Sequence, residues 1–308
     1  MPTLEEFAQY RAKYNRVVWI DGLPWCSTRR VLEPLAMPHV VRPVDRAKVR
    51  QAMKETNALI ARWNDAWDTS PCDWWWMCCD DRAYDVEKFS HGPRKATRKA
   101  LRRVDVRLVE NEWIAENGYD VYVASYRRYG MLPPLTRERF AHRALRKNEY
   151  AGYETWGAFV GDKLAAFMSC TVLDDTVAVT TGRWDSEYRH AMPNNALAYI
   201  LTRAYLKRGM AYVTGGVRVL YHDTNVQEYF LHLGYRRVYC PLRAEFSPLV
   251  SAMLKVRLHR WGTFLGLRRL MPGRIEQLNA ASSLHTIARA CDQAALQHRM
   301  VAEDGSAE

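Results

Sequence analysis

The sequence predicts a mixed α/β (α+β) fold, a mostly antiparallel sheet flanked by helices. Two observations carry this expectation. Two apolar runs, Trp156 to Val160 and Lys163 to Val172, flank Gly161-Asp162 and read as a hairpin. Farther on, TNVQEYFLHLGYRRVYCPLRAEFSP (224–248) reads as helix, glycine stop and strand. Val226, Tyr229, Phe230 and Leu233 recur at helical spacing, Thr224 can cap the helix, Gly234 can end it, and one strand follows from Arg237 to Phe246.

Composition narrows the function classes. With 308 residues and 48% hydrophobic content, the chain can fill a real core and is not of disordered type. No apolar run is long enough to span a bilayer, and no solenoid period recurs. The net charge of +11 points either to an anionic partner (nucleic acid, a phosphorylated cofactor, an acidic membrane surface) or to a solvated basic surface. Seven cysteines, an odd number, and a Met1 not followed by an apolar signal segment point to reduced thiols in the cytoplasm. Cys72, Cys78, Cys79 and His91 lack a paired CxxC, so no metal site is expected.

The elements follow in order. Val17 to Ile20 is a short apolar run before a turn at Gly22 and Pro24. Asp45 starts a helix expected to reach about Trp67, with Met53, Ile60, Trp63 and Trp67 near one face, before Thr69-Ser70-Pro71 breaks it. Asp73 to Cys79 suits a strand, whose Trp74, Trp75 and Trp76 imply burial on both sides or a ligand on one. After Ser90, Arg94–Arg98–Arg102 and Lys95–Lys99–Arg103 form two basic ridges on a helix, either for phosphate contact or as a wet surface. Val104 to Val109 reads as a strand, Asn111 to about Tyr129 as a helix, and Thr136 caps another through about Arg146. After the hairpin, Asp174-Asp175 turns into a strand from Val177 to Thr181. Asn194 or Asn195 caps a helix to about Lys207, ended by Gly209, and Met210 to Thr214 is a strand. Beyond Pro248, residues 254–271 are basic and amphipathic, fit either for packing on their own domain or for an anionic membrane surface. A last helix is expected over about 275–300, before a loose tail.

From Ser90 to Pro248 this order resembles the GNAT acyltransferase fold, and the helix–Gly234–strand unit resembles the part of that fold beside the acyl donor. PRKATRKALRRVDVRLVE, with IAENGYDVYVASYRRYG after it, resembles the start of the second acyltransferase domain in Fem-type ligases. The resemblance implies three segments: 1–88, a partial companion half; 89–248, the acyltransferase domain; and 249–308, a basic helical extension. It also implies an N-acyltransferase with acyl-CoA as co-substrate and a small-molecule or peptide amine as acceptor. A Fem-like ligase using charged tRNA, or a non-catalytic scaffold for an anionic partner, is the alternative.

In the resembling family, an Arg/Gln-x-x-Gly-x-Gly/Ala loop wraps a pyrophosphate with backbone N–H groups at a helix start. The matching stretch here is Arg189-His190-Ala191-Met192-Pro193-Asn194-Asn195-Ala196, with Met192 and Asn194 at the glycine positions. The resemblance thus assigns Arg189, Met192, Asn194, Asn195, Ala196 and Asn225 to the cofactor. Where many relatives place a tyrosine to protonate the leaving thiolate, this chain has Phe230. Tyr229, His222 and Asp223 are the catalytic candidates, with Asp185 and Glu187 as alternative bases.

Overall fold

The computed structural model describes residues 1–220, 226–256 and 279–294. In chain order the first half comprises α1 (Leu4–Ala12), β1 (Arg16–Ile20), β2 (Leu23–Thr28), β3 (Val31–Pro34), α2 (Arg46–Thr56), β4 (Ile60–Asn64), β5 (Trp75–Cys79), α3 (His91–Leu101), β6 (Asp105–Val109), α4 (Asn111–Asn117), α5 (Tyr119–Arg127) and α6 (Arg137–Leu145). Then come β7 (Tyr153–Val160), β8 (Lys163–Leu173), β9 (Thr176–Trp184), α7 (Pro193–Lys207), β10 (Tyr212–Val217), α8 (Val226–His232), β11 (Arg236–Tyr239), β12 (Leu242–Phe246) and α9 (Pro248–Lys255). Residues 279–294 form α10. One sheet has seven strands in the order β11-β5-β10-β9-β8-β7-β6, the other five in the order β1-β2-β3-β4-β12. Two compact units result: Met1–Phe7, Met77–Gly216 and Asn225–Arg237 in the first, and Ala8–Trp76, Val217–Thr224 and Val238–Glu308 in the second.

The second unit is built on the five-stranded sheet. Asp21 and Gly22, with φ of 48° and 76°, make the two-residue turn that joins β1 to β2 in the Ile20↔Leu23 register. The Asp45 carboxylate accepts the Ala47 N–H (2.7 Å) and caps α2. The helix then stops at Asn57 (φ 54°), short of the expected Trp67. Beyond Asn57 the burial has a period of two, with Ala61 and Trp63 inward, so Ile60–Asn64 is a strand and not a helical continuation. The strand expected from Arg237 to Phe246 is likewise two strands. Pro241 has no N–H to give a ladder, its carbonyl accepts from Asp65 N–H (3.0 Å), and β12 joins β4 in the five-stranded sheet. Trp74 and Trp75 are buried and Trp76 half-buried, and the indoles of Trp74 and Trp76 both donate to Asn64 Oδ1. Leu284, Ile287, Ala288 and Cys291 recur on one face of α10 and close a core with Trp74, Cys240 and Leu242. The Arg243 guanidinium, 9% exposed as a residue, is neutralised by Asp65 and Asp292.

In the first unit β6, β7, β8 and β9 are an antiparallel run, and β10 pairs parallel to β9. The helix expected over Asn111–Tyr129 is interrupted at Gly118 into α4 and α5, although Gly118 N–H still donates to Ile114 O (2.9 Å). On one face of the sheet, Ile114, Val121, Tyr122 and Phe140 from these helices and α6 pack on Phe159 and Phe167. On the other face α7 meets β7, where Trp156 Nε1 donates to Tyr205 Oη (2.9 Å). Asn194 and Asn195 do not cap α7 as expected; Met192 is its N-cap and Pro193 its first residue, which suits a ring that needs no N–H there.

Gly234 ends α8 at φ 80°, and a Cβ there would lie 3.2 Å from both the Phe89 and Tyr84 rings. Gly234→Ala should therefore cost about 1–2 kcal/mol from the left-handed backbone alone. Its urea midpoint should fall with an unchanged slope.

Candidate active site

The site begins with a strand pair that separates. β10 matches β9 only at Tyr212↔Thr176, Val213↔Val177 and Thr214↔Ala178. A parallel pair needs a crossover, here α7, and the two strands part toward their carboxyl ends. Exposure follows the parting. Thr176 and Val177 are buried, whereas Val179 to Trp184 are half-buried or exposed, although β9 is the middle strand of seven. The sheet is thus open between β9 and Gly215-Gly216 of β10.

Two local features hold the opening. The β8–β9 register passes from Ser169↔Thr181 to Cys170↔Val179, so Thr180 is a bulged residue, and its Oγ1 donates to Ser169 O (3.0 Å). Opposite, Gly215 lets Phe230 approach closely: a Cβ on Gly215 would lie 3.1 Å from the ring, which also packs on Tyr235 at 4.8 Å between centroids.

Of the catalytic candidates, Tyr229 stands on α8 beside Phe230, their rings 5.4 Å apart. The residue is half-buried but its hydroxyl is fully buried and has no hydrogen-bond partner among the described residues; burial pushes its pKa far up, so it stays protonated. Gln227 Nε2 on the same helix is also buried without a partner. His222, Asp223 and Asn225, with the capping Thr224, lie outside the described residues. Asp185 caps the turn that follows β9, accepting Glu187 N–H at 3.0 Å.

The loop before α7 carries the cofactor candidates. Met192 sits at φ 55° and ψ 51°, a left-handed conformation that glycine adopts freely and other residues at a cost. No side chain caps α7, Asn194 and Asn195 occupy its first turn and are half-buried, and Ala196 is buried. Arg189 is exposed at the end of the preceding turn. Arg103, two residues past the end of α3, donates to the carbonyl of His190 (3.4 Å), bringing the end of the basic stretch to this loop. Within α3, Arg94 and Arg98 pair with Glu87, while Lys95 and Lys99, and Arg102 and Arg103 just beyond the helix, are exposed.

Sequence reasoning missed a buried amine behind the bulge. Lys147 Nζ donates to Ser169 Oγ (2.6 Å), and Ser169 Oγ contacts Thr155 Oγ1 (3.3 Å), which donates to Asn111 Oδ1 (3.1 Å). Burial of the ammonium, with Arg143 nearby, pushes its pKa down to about 8. A lysine in a run of basic residues gives no local sign of this; strand register creates it. The thiols of Cys78, Cys79 and Cys170 are pushed up to about 12 by burial. Among the described residues no cluster of three or more His, Cys, Asp or Glu gathers as a metal site.

Two predictions follow from these strained or desolvated groups. For Lys147 the folded pKa of about 8 lies below the reference 10.5. The folded chain sheds this proton first, so between those two values stability rises with pH. The melting temperature of the wild type should climb relative to Lys147→Met across that window; parallel curves would contradict a desolvated ammonium. Met192→Gly should stabilise the chain by about 0.5–1 kcal/mol, strain relief less the entropy of the added glycine, read as a higher urea midpoint.

Residues 87–222 match the family described as acetyltransferase (GNAT) domain. The fold is shared with FemX (TM-score 0.52, 11% identity, 76% of this chain and 89% of that one). It is shared also with L-PGS from Bacillus licheniformis (TM-score 0.50, 11% identity, 83% and 92%). No curated protein sequence matches the chain. Among the described residues no helix is long and apolar enough to cross a membrane. Residues 87–222, which include the open strand pair, are thus similar to a GNAT-type acetyltransferase domain.

Proposed function

We propose that the chain moves an acyl group from acyl-CoA to an amine, in the opening between β9 and β10. The observation that carries this reading is the early end of the β9–β10 pairing at Thr214↔Ala178. It leaves backbone N–H and C=O groups of β9 free to hold an extended amide-bearing arm, as an added strand would. A thioester laid there is attacked by the neutral amine nitrogen; the C–N bond forms, the C–S bond breaks, and a proton passes to the departing thiolate. Tyr229 is our donor for that proton, since its hydroxyl is protonated and unpartnered. His222 and Asp223 are our candidates for taking the proton from the amine. Arg189, the Met192 loop, Asn194, Asn195, Ala196 and Asn225 are our contacts for the donor's phosphates, supported by the uncapped start of α7. Holding both reactants supplies much of the rate by removing the entropy of encounter.

One observation favours a second donor, a charged tRNA: the exposed cations of α3 extend to the α7 loop, and the glycines of that loop are replaced. We place the reaction in the cytoplasm, where the seven cysteines, none of them in a disulfide, remain reduced. Residues 1–88 are our proposal for a reduced companion half, and 254–271, mostly outside the described residues, for contact with an anionic surface.

Calorimetry with acetyl-CoA and longer acyl-CoAs should show saturable binding weakened at least tenfold by Arg189→Ala with Asn194→Asp; heat from none of them would remove acyl-CoA as donor. In that event charged tRNA should be retained on the protein, with affinity falling steeply as salt rises. Retention indifferent to salt would count against the second donor.

A further inference from the structure

Along the exposed half of β9, three residues past the bulge, stands Arg183. Its direction follows from register: it lies across from Phe167, which packs among α4, α5 and α6. Gly182, across from Met168 and thus in line with Trp156, belongs to the α7 face. Arg183 therefore stands on the face of the opening away from α7, so that a donor held by the α7 loop leaves this face to the acceptor.

The Arg183 guanidinium is held by aromatic rings and not by acids. It lies 5.1 Å from the centroid of Tyr126 and 5.8 Å from that of Tyr122, and its Nη2 donates to Tyr126 Oη (3.2 Å). Its Nη1 donates to Gly182 O (2.9 Å), and its Nε is buried without a partner. Arg128, which follows α5, lies with its guanidinium 4.4 Å from the ring centroids of both Trp184 and Tyr129. Among the described residues neither arginine has a carboxylate partner. Elsewhere in the same unit Arg98 pairs with Glu87, Arg137 with Asp120, Arg208 with Glu154 and Arg236 with Asp80. The Arg183 guanidinium at the strand end, positioned by rings and lacking counter-charge, is a fork for a planar or tetrahedral oxyanion.

We propose that Arg183 binds an anionic group on the acceptor, so that the amine acylated here also carries a carboxylate or a phosphate. This rests on the opening being the acylation site. The three-residue offset from the bulge, roughly 10 Å along a strand, limits the separation of amine and anion to a small molecule's reach. Tyr122 and Tyr126 are positioning residues that keep the fork on the strand.

Calorimetric titration of the full chain with glycine against glycinamide, and phosphoethanolamine against ethanolamine, tests this without any acyl donor. At least one anionic member should bind about tenfold or more tightly than its neutral counterpart, the glycine pair reporting carboxylate and the phosphoethanolamine pair phosphate. Arg183→Gln should abolish the margin, Arg183→Lys should restore part of it, and Arg107→Gln on β6 should leave it intact. Equal affinity within both pairs, no binding of any of the four, or a margin that survives Arg183→Gln overturns the inference. Turnover of the same amines with acetyl-CoA separates the two readings. Transfer with no preference for charge removes the anion site and keeps the reaction. A charge preference in binding with no transfer from any acyl-CoA keeps the anion site and removes the donor.

Discussion

The opening proposed as the reaction site depends on a hydrogen-bonded ladder that stops early. Three residue pairs join β9 to β10, and beyond Thr214↔Ala178 the strands part. A parallel pair in the middle of a sheet is ordinarily covered on both faces and bonded on both edges. Leaving one edge bare exposes peptide groups that must find partners in water or in a ligand. The chain stabilises the gap from both sides. Thr180 is bulged and tied back to Ser169, which turns β9 away, and Gly215 admits the Phe230 ring where any side chain would push it off. Because α7 is the crossover between these strands, its N-terminus necessarily lies at their carboxyl ends, where an open α/β sheet places its ligands.

That topology also separates two chemical environments. The α7 side presents backbone dipoles and the exposed cations of α3, suited to phosphates. The α4–α6 side presents hydroxyls, amides and rings: Lys147 on Ser169, Thr155 on Asn111, Arg183 on Tyr126. A buried ammonium bonded only to a serine is poorly solvated, which is why burial depresses its pKa. The amine acceptor proposed to enter on this side would meet the same conditions, and desolvation favours the neutral nucleophile that acyl transfer needs.

The sequence shows the order of elements and conceals the opening. Gly161-Asp162, Asp174-Asp175 and Gly234 are turn and stop residues whose effect is local, and the hairpin and α8 lie where they indicate. Ile60 to Trp67 was ambiguous because apolar spacing there fits both periods; a left-handed Asn57 decided for a strand. The division of β11 from β12 at Pro241 needed knowledge of where Asp65 and β4 lie. Arg183 and Lys147 carry no motif at all. Their significance comes from strand register and from partners 57 and 22 residues away in the chain. The loop before α7 shows the reverse. Its sequence lacks the expected glycine, yet Met192 adopts a left-handed backbone that glycine enters more freely, which the residue type alone does not suggest.

The strain at Met192 bears on the donor. A residue held at positive φ against its preference persists only where its surroundings demand that conformation. Here the demand comes from Pro193, which fixes the first turn of α7, and from the short turn closed by Met192 N–H on Arg189 O (3.2 Å). A glycine in the same place would open the loop to close backbone approach; a methionine keeps the dihedral angles and narrows the space. Arg103, bonded to the His190 carbonyl, supplies side-chain charge at the spot where the narrower loop gives fewer backbone contacts. If this loop holds the donor as proposed, phosphate recognition shifts from N–H groups, which depend on exact fit, to guanidinium and ammonium groups, which act at longer range and yield to salt. The same cations then serve a pyrophosphate or a nucleic-acid backbone, and the salt dependence of donor binding is the physical quantity on which the two differ.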